Sequence, residues 1–100
     1  MKLQQEIVEA RSKWGKASSD DVFVTLCGLV AEVGELSDSI RAKYAYHKPD
    51  KPESDKSSLK HEFADVMIFL AALASKCDID LESAVQSKIL INNTRFGASR

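Results

Sequence analysis

Four carboxylates stand out by type and spacing. Glu32 and Glu35 lie three residues apart in AEVGEL (31–36), and Glu62 and Asp65 three apart in EFADVMIFLAALA (62–74). On a helix, positions i and i+3 fall ~60° apart, so each pair shares a face. The second pair poses the sharper problem, because Asp65 interrupts a run that is otherwise built for burial. An ionised carboxylate taken out of water without a partner costs several kcal/mol or shifts its pKa until it is neutral. Asp65 is therefore expected to be paired, protonated, metal-bound or held at the edge of a wet cavity.

If the two helices pack antiparallel, the two acid pairs converge. Two unit charges ~4 Å apart repel by about 4 kcal/mol at an effective dielectric of ~20. Four such groups tolerate one another only when cations neutralise them. Hard oxygen donors on helices, without a cysteine or suitably spaced histidine among them, suit Mg²⁺ or Mn²⁺ and fit zinc poorly. A di-iron bundle needs Glu-x-x-His, whereas here His61 precedes Glu62 and reads as an incidental surface residue. Gly28, one turn before Glu32, is expected to leave open space beside the acids.

A basic counterpart lies in KILINNTRF (88–96). Lys88, Asn92 and Arg95 are spaced i, i+4, i+7, within ~60° on one helix face. A point charge, a neutral donor and a bidentate fork together suit a polyphosphate, although a Lys and an Arg near a helix C-terminus also complement the macrodipole. Trp14, the sole tryptophan, and Phe96 each have the flat face needed to stack on a base; Trp14 also continues its own helix stripe.

The elements that must position these residues are four helices and no convincing strand. Leu3, Ile7, Ala10 and Trp14 recur at helical spacing over 2–14. Ser19 or Asp20 is expected to cap a second helix over 21–45, whose apolar residues Val22, Leu26, Leu29, Val30, Val33, Ile40 and Tyr44 form one broad arc. HKPDKPESDKSS (47–58) holds both prolines and reads as a loop, with Ser57 or Ser58 capping a third helix over 58–76. Asp80 suits the cap of a fourth over 81–95, and Gly97 its end. The expected fold is all-α, a four-helix bundle in which short links make neighbours antiparallel. One hundred residues make one domain, 1–100, with a small core that association would help to complete.

Composition excludes some classes. Fourteen Lys+Arg against 15 Asp+Glu leave a formal charge of -1, with no global drive toward a nucleic acid polymer or an acidic membrane. The longest apolar run, 66–74, is far short of the ~20 residues of a spanning helix, and 1–14 is charged throughout, so a soluble, cytoplasmic protein is expected. Cys27 and Cys77 form no CxxC and read as reduced, buried thiols.

In order and spacing, ExxE (32–35), ExxD (62–65) and Lys-x3-Asn-x2-Arg (88–95) resemble the MazG-like all-α nucleoside triphosphate pyrophosphohydrolases over roughly residues 20–96. VAEVGEL and SKILINNTRF look most like the branch that contains dCTP pyrophosphatases. Many members read EExxE, whereas Ala31 stands at the first position here. The resemblance implies hydrolysis of a (deoxy)nucleoside triphosphate to the monophosphate and pyrophosphate. It implies Glu32, Glu35, Glu62 and Asp65 as Mg²⁺ ligands, with Glu32 or Glu35 also acting on the attacking water. Lys88, Asn92 and Arg95 become phosphate contacts, and a homodimer or homotetramer with its site at a subunit contact is expected. Phe63, Met67 and Phe69 look excessive for a monomer. The competing readings are a catalytically silent dimerisation or protein-binding module, and a nucleotide sensor without turnover.

Overall fold

The computed structural model describes residues 2–15, 21–44 and 56–97. Among them are four helices and no strand: α1 (Lys2–Lys13), α2 (Val22–Tyr44), α3 (Lys56–Lys76) and α4 (Leu81–Arg95). The elements are those the periodicity predicts, with ends within two residues.

Some caps differ from expectation. Ser19 and Asp20 lie outside the described residues. Instead Asp21 accepts the Val24 backbone N–H at 2.8 Å, and its carbonyl accepts the Thr25 hydroxyl at 2.9 Å. Because α3 already begins at Lys56, Ser57 and Ser58 lie inside its first turn rather than before it. Asp80 caps α4 as predicted, accepting from the Ser83 N–H at 2.9 Å. Gly97 follows α4 at φ 66°. The link between α3 and α4 closes with Asp78 at φ 60°, while Ile79 N–H reaches back to the Ala74 carbonyl at 2.9 Å and Asp78 N–H to Ser75 at 3.1 Å. That is the Schellman pattern, with an aspartate in the position usually held by glycine.

Helix α3 is the hub. Both α1 and α2 pack on it, whereas α4 makes almost no contact with the other three. The pairings fix direction: Gln4 meets Ser75 while Arg11 meets Phe69, and Gly28 meets Phe69 while Glu32 senses Glu62 and Asp65. Both α1 and α2 therefore run antiparallel to α3. The expected antiparallel packing of α4 on α3 is absent despite a four-residue link, because the turn at 77–80 sends α4 away. The radius of gyration, 16.6 Å, exceeds the roughly 13 Å of a compact 100-residue domain.

The buried faces are not the apolar ones. Helix α2 turns Thr25, Glu32, Leu36 and Ser39, all within ~60° on its wheel, toward α3. Its apolar arc is centred roughly a quarter-turn away, and Val22, Leu26, Val30, Val33 and Tyr44 stay exposed. On α1 the buried residues are Gln4, Ile7 and Arg11, whereas Leu3 and Trp14 of the expected stripe are exposed. Three alanines of α3, Ala71, Ala72 and Ala74, form most of the buried apolar core. Small side chains let the helices approach closely but bury little area, so hydrophobic stabilisation within one chain is limited.

Gln4 tightens this arrangement. Its amide N–H₂ donates to the Ser75 hydroxyl at 2.9 Å and to the Ile79 carbonyl at 2.7 Å, and its amide oxygen accepts from Leu81 N–H at 2.8 Å. One side chain thus ties α1 to the end of α3 and the start of α4. The two cysteines are exposed rather than buried. Cys27 lies on the outward side of α2, and Cys77 in the turn after α3.

Candidate active site

Antiparallel packing of α2 on α3 brings ExxE opposite ExxD. The negative charges of Glu35, Asp65 and Glu62 all act on Glu32. Burial first, then a hydrogen bond to the Glu35 side chain and these three charges, raise the Glu32 pKa above its ordinary 4.5. Glu32 therefore takes up a proton more readily than an ordinary glutamate. Among the described residues no cation is among the groups that act on it.

The burden of burial falls on different acids from the one the sequence singles out. Asp65 is exposed and lines an open groove, the wet-edge alternative among those set out for it. Glu32 and Glu62 are half-buried, and Glu32 Oε2 and Glu62 Oε1 are shut off from solvent without a hydrogen-bond partner. A buried acceptor left unsatisfied costs about 1–3 kcal/mol, more when charged. Two such atoms on facing helices mark a place that the described protein groups do not complete. The donor chemistry fits a hard divalent cation. As the side chains stand, with Glu32 turned to Glu35, no group of three or more His, Cys, Asp or Glu among the described residues is set to hold a metal ion.

The space expected beside Gly28 is occupied. A Cβ there would collide with Phe69 Cε1 and stand 2.8 Å from Cδ1 and Cζ of the same ring. Glycine is needed because an aromatic side chain of α3 lies on the α2 backbone. Next to this contact a groove of about 350 Å³ is walled by Arg11, Trp14, Val24, Asp65, Ile68 and Phe69. That volume is within the range of small-molecule sites. Trp14, 56% exposed, is among the residues that border it.

Lys88, Asn92 and Arg95 share α4, and the arrangement within one chain does not bring them to the acids, because α4 stands apart from α2 and α3. Arg95 lies over the ring of its neighbour Phe96, 5.4 Å from the centroid. His61 is exposed, in keeping with an incidental role.

Sequence reasoning missed Arg11, Phe69 and Gln4. Arg11 is only 4% exposed, with its guanidinium 5.1 Å from the Phe69 centroid. The available signal was register: Gln4, Ile7 and Arg11 fall at i, i+3, i+7, as regular a stripe as the apolar one.

Residues 1–97 match the family described as dUTPase. The chain belongs to that family, within the MazG-like all-α nucleoside triphosphate pyrophosphohydrolases. Among curated proteins, this family member is 40% identical to dCTP pyrophosphatase 1 of Homo sapiens over 75 residues, covering 73% of the chain and 44% of the relative. It is 38% identical to the Mus musculus protein of the same name over 73 residues, covering 71% of the chain and 43% of the relative. The chain therefore spans less than half the length of these relatives.

Proposed function

We propose that residues 1–100 act as a single nucleotide pyrophosphohydrolase domain that cleaves deoxynucleoside triphosphates, dCTP foremost, to the monophosphate and pyrophosphate in a Mg²⁺-dependent reaction, with Mn²⁺ as a substitute. The observation that carries this reading is the pair of buried, unpartnered oxygens, Glu32 Oε2 and Glu62 Oε1, beside Glu35 and Asp65. Family membership and the dCTP pyrophosphatase relatives support the same reaction class.

In this reading Glu32, Glu35, Glu62 and Asp65 hold the metal. The chemistry that bound Mg²⁺ supplies is neutralisation of phosphate charge, polarisation of the reacting phosphorus and activation of water. Glu32, whose pKa is raised, must be ionised to serve as a ligand, and Glu32 or Glu35 then orients the attacking water or accepts its proton. Lys88, Asn92 and Arg95 contact the phosphates, and Trp14 stacks on the base. Since α4 stands apart from the acids within one chain, these contacts come from association, as a homodimer or homotetramer. The exposed apolar residues of α2 and α4 and Phe63, 53% exposed, support that assembly. No helix among the described residues is long and apolar enough to cross a membrane, which accords with a cytoplasmic setting.

Among the described residues no three-ligand group is preformed, an observation that favours a second reading: a dimerisation module or nucleotide sensor without turnover. Product analysis decides between them. Purified protein incubated with dNTP and NTP panels, with Mg²⁺ or with EDTA, should yield monophosphate and pyrophosphate only with the metal, and fastest from dCTP. A folded, metal-supplied protein that releases no product from any triphosphate is a silent module or a sensor.

A further inference from the structure

The turn that carries α4 away from α3 is gripped from two sides. On the α3 side, Ile79 N–H bonds to the Ala74 carbonyl at 2.9 Å and Asp78 N–H to the Ser75 carbonyl at 3.1 Å, with Asp78 held at φ 60°. From α1, the Gln4 amide donates to the Ile79 carbonyl at 2.7 Å and the Ser75 hydroxyl at 2.9 Å, and accepts from Leu81 N–H at 2.8 Å. Both backbone groups of Ile79 are thereby fixed, one by α3 and the other by Gln4. Leu81 opens α4, so its N–H is one of the donors that a helix start leaves without an intrahelical partner. Gln4 is 5% exposed, and breaking its bonds there would leave buried polar groups unsatisfied.

What this grip controls is the direction of α4. Helices α1 and α2 pack on α3, whereas α4 makes almost no contact with the other three. Its angle is therefore set at its foot. At ~1.5 Å per residue, Lys88 and Arg95 stand ~10 Å and ~21 Å along the helix from Leu81. A swing of ~20° about Leu81 displaces Arg95 by ~7 Å, more than twice the length of a hydrogen bond. Small errors at the turn thus become large ones where α4 carries its basic and amide groups.

We propose that Gln4 is a positioning residue: its amide sets the angle at which α4 leaves α3, and so places Lys88, Asn92 and Arg95 for the phosphates of the substrate. A primary amide suits the task, because one planar group donates twice and accepts once, here across the end of α3 and the start of α4. Gln4 acts through the turn at 79–81 and not on the reacting atoms. The inference deepens the nucleotide reading and rests on it for the role of α4, but the angle itself is measured without turnover.

Gln4→Met keeps the bulk of the side chain and removes all three bonds. Ile7→Val loosens the same buried face of α1 without touching the turn. Residual dipolar couplings of the backbone N–H groups, measured by NMR on the full chain, give the angle of α4 to α3. In wild type both helices should fit one alignment. In Gln4→Met the α4 couplings should shrink or require a new orientation, while α2 and α3 keep theirs. KM for dCTP should rise about fivefold or more, with the Mg²⁺ shift in melting temperature retained because the acids on α2 and α3 stay in place. Ile7→Val should change neither. An α4 angle that is unchanged in Gln4→Met overturns the proposal, and so does one that changes equally in Ile7→Val, the mark of general loosening. A changed angle with an unchanged KM overturns the link to the phosphates. Should Gln4→Met fail to fold, Gln4→Glu keeps the acceptor for Leu81 N–H, loses both donors and is read by the same outcomes. A wild-type protein that releases no product sinks the nucleotide reading by itself, and the angle still decides whether Gln4 directs α4.

Discussion

Helices α2 and α3 bury carboxylate oxygens, while α4 leaves Val85, Ile89, Leu90 and Ile91 exposed. Hydrophobicity alone would predict the reverse. On α2 the face turned to α3 carries Thr25, Gly28, Glu32 and Ser39, residues that pack closely without filling a core, and the apolar arc is left outside. The two regions differ in what completes them. Among the described residues, the acid pairs lack a facing positive charge and the apolar faces of α2 and α4 lack a covering surface. Under the proposed function each deficit is met from outside the chain, the first by a cation and the second by another copy.

The strongest way to break this comparison is to remove an acid. Glu62→Gln or Asp65→Asn should lower kcat/KM for dCTP by about a hundredfold to a thousandfold, the scale of losing one pre-organised electrostatic group. The same variants should lose the rise in melting temperature that Mg²⁺ gives wild type, since a ligand that binds only the native state stabilises it. A variant that keeps its Mg²⁺ shift would show that the acids are ordinary surface groups.

The α4 side of the comparison is tested by charge. Ile89→Asp places a carboxylate in the exposed apolar stripe of α4. Sedimentation should show a dimer or tetramer shifted to monomer, with turnover reduced tenfold or more at the same concentration. A wild-type protein that sediments as a monomer at assay concentration would remove the role given to α4.

How much of this was legible beforehand depends on which property each residue type reveals. Helix positions followed from periodicity and breakers, and Asp80 and Gly97 from capping chemistry. The convergence of the two acid pairs followed from spacing plus antiparallel packing. Facing was the weak point, because an apolar arc was read as pointing to the chain's own core. In α2 it points away, and Thr25, wholly buried, satisfies its hydroxyl on the Asp21 carbonyl. The same mistake turned Leu3 toward the core and left Arg11 and Gln4 unnoticed. The register of Gln4 with Ile7 and Arg11 marks a shared face, but the three bonds of the Gln4 amide cannot be read from a single sequence, because its partners lie more than seventy residues away.

Packing inside the acid-bearing pair gives a smaller effect. Gly28→Ala drives a methyl into the Phe69 ring, and overpacking of this kind costs about 1–3 kcal/mol. Urea denaturation should show that loss, and Phe69→Leu in the same chain should recover part of it. Strictly additive losses would mean that the ring moves aside freely and that glycine is not required there.

The last effect is one of direction. Glu32 has a pKa raised in the folded protein, so the native state holds its proton at pH values where the unfolded chain has released it. In that window the native state binds more protons, and stability falls as pH rises upward from about 4.5. The metal-free protein should therefore lose stability across this range, as read by melting temperature in EDTA. Glu32→Gln should flatten the slope, because an amide carries no titrating charge. Saturating Mg²⁺ should reverse the trend in wild type, since the ligand set must give up the proton to bind the ion and affinity rises with pH. The comparison is then sharpened within one residue: Glu32 destabilises the empty protein at neutral pH and stabilises the loaded one. A wild-type slope that is unchanged by both the substitution and the metal would place the pH dependence elsewhere in the chain.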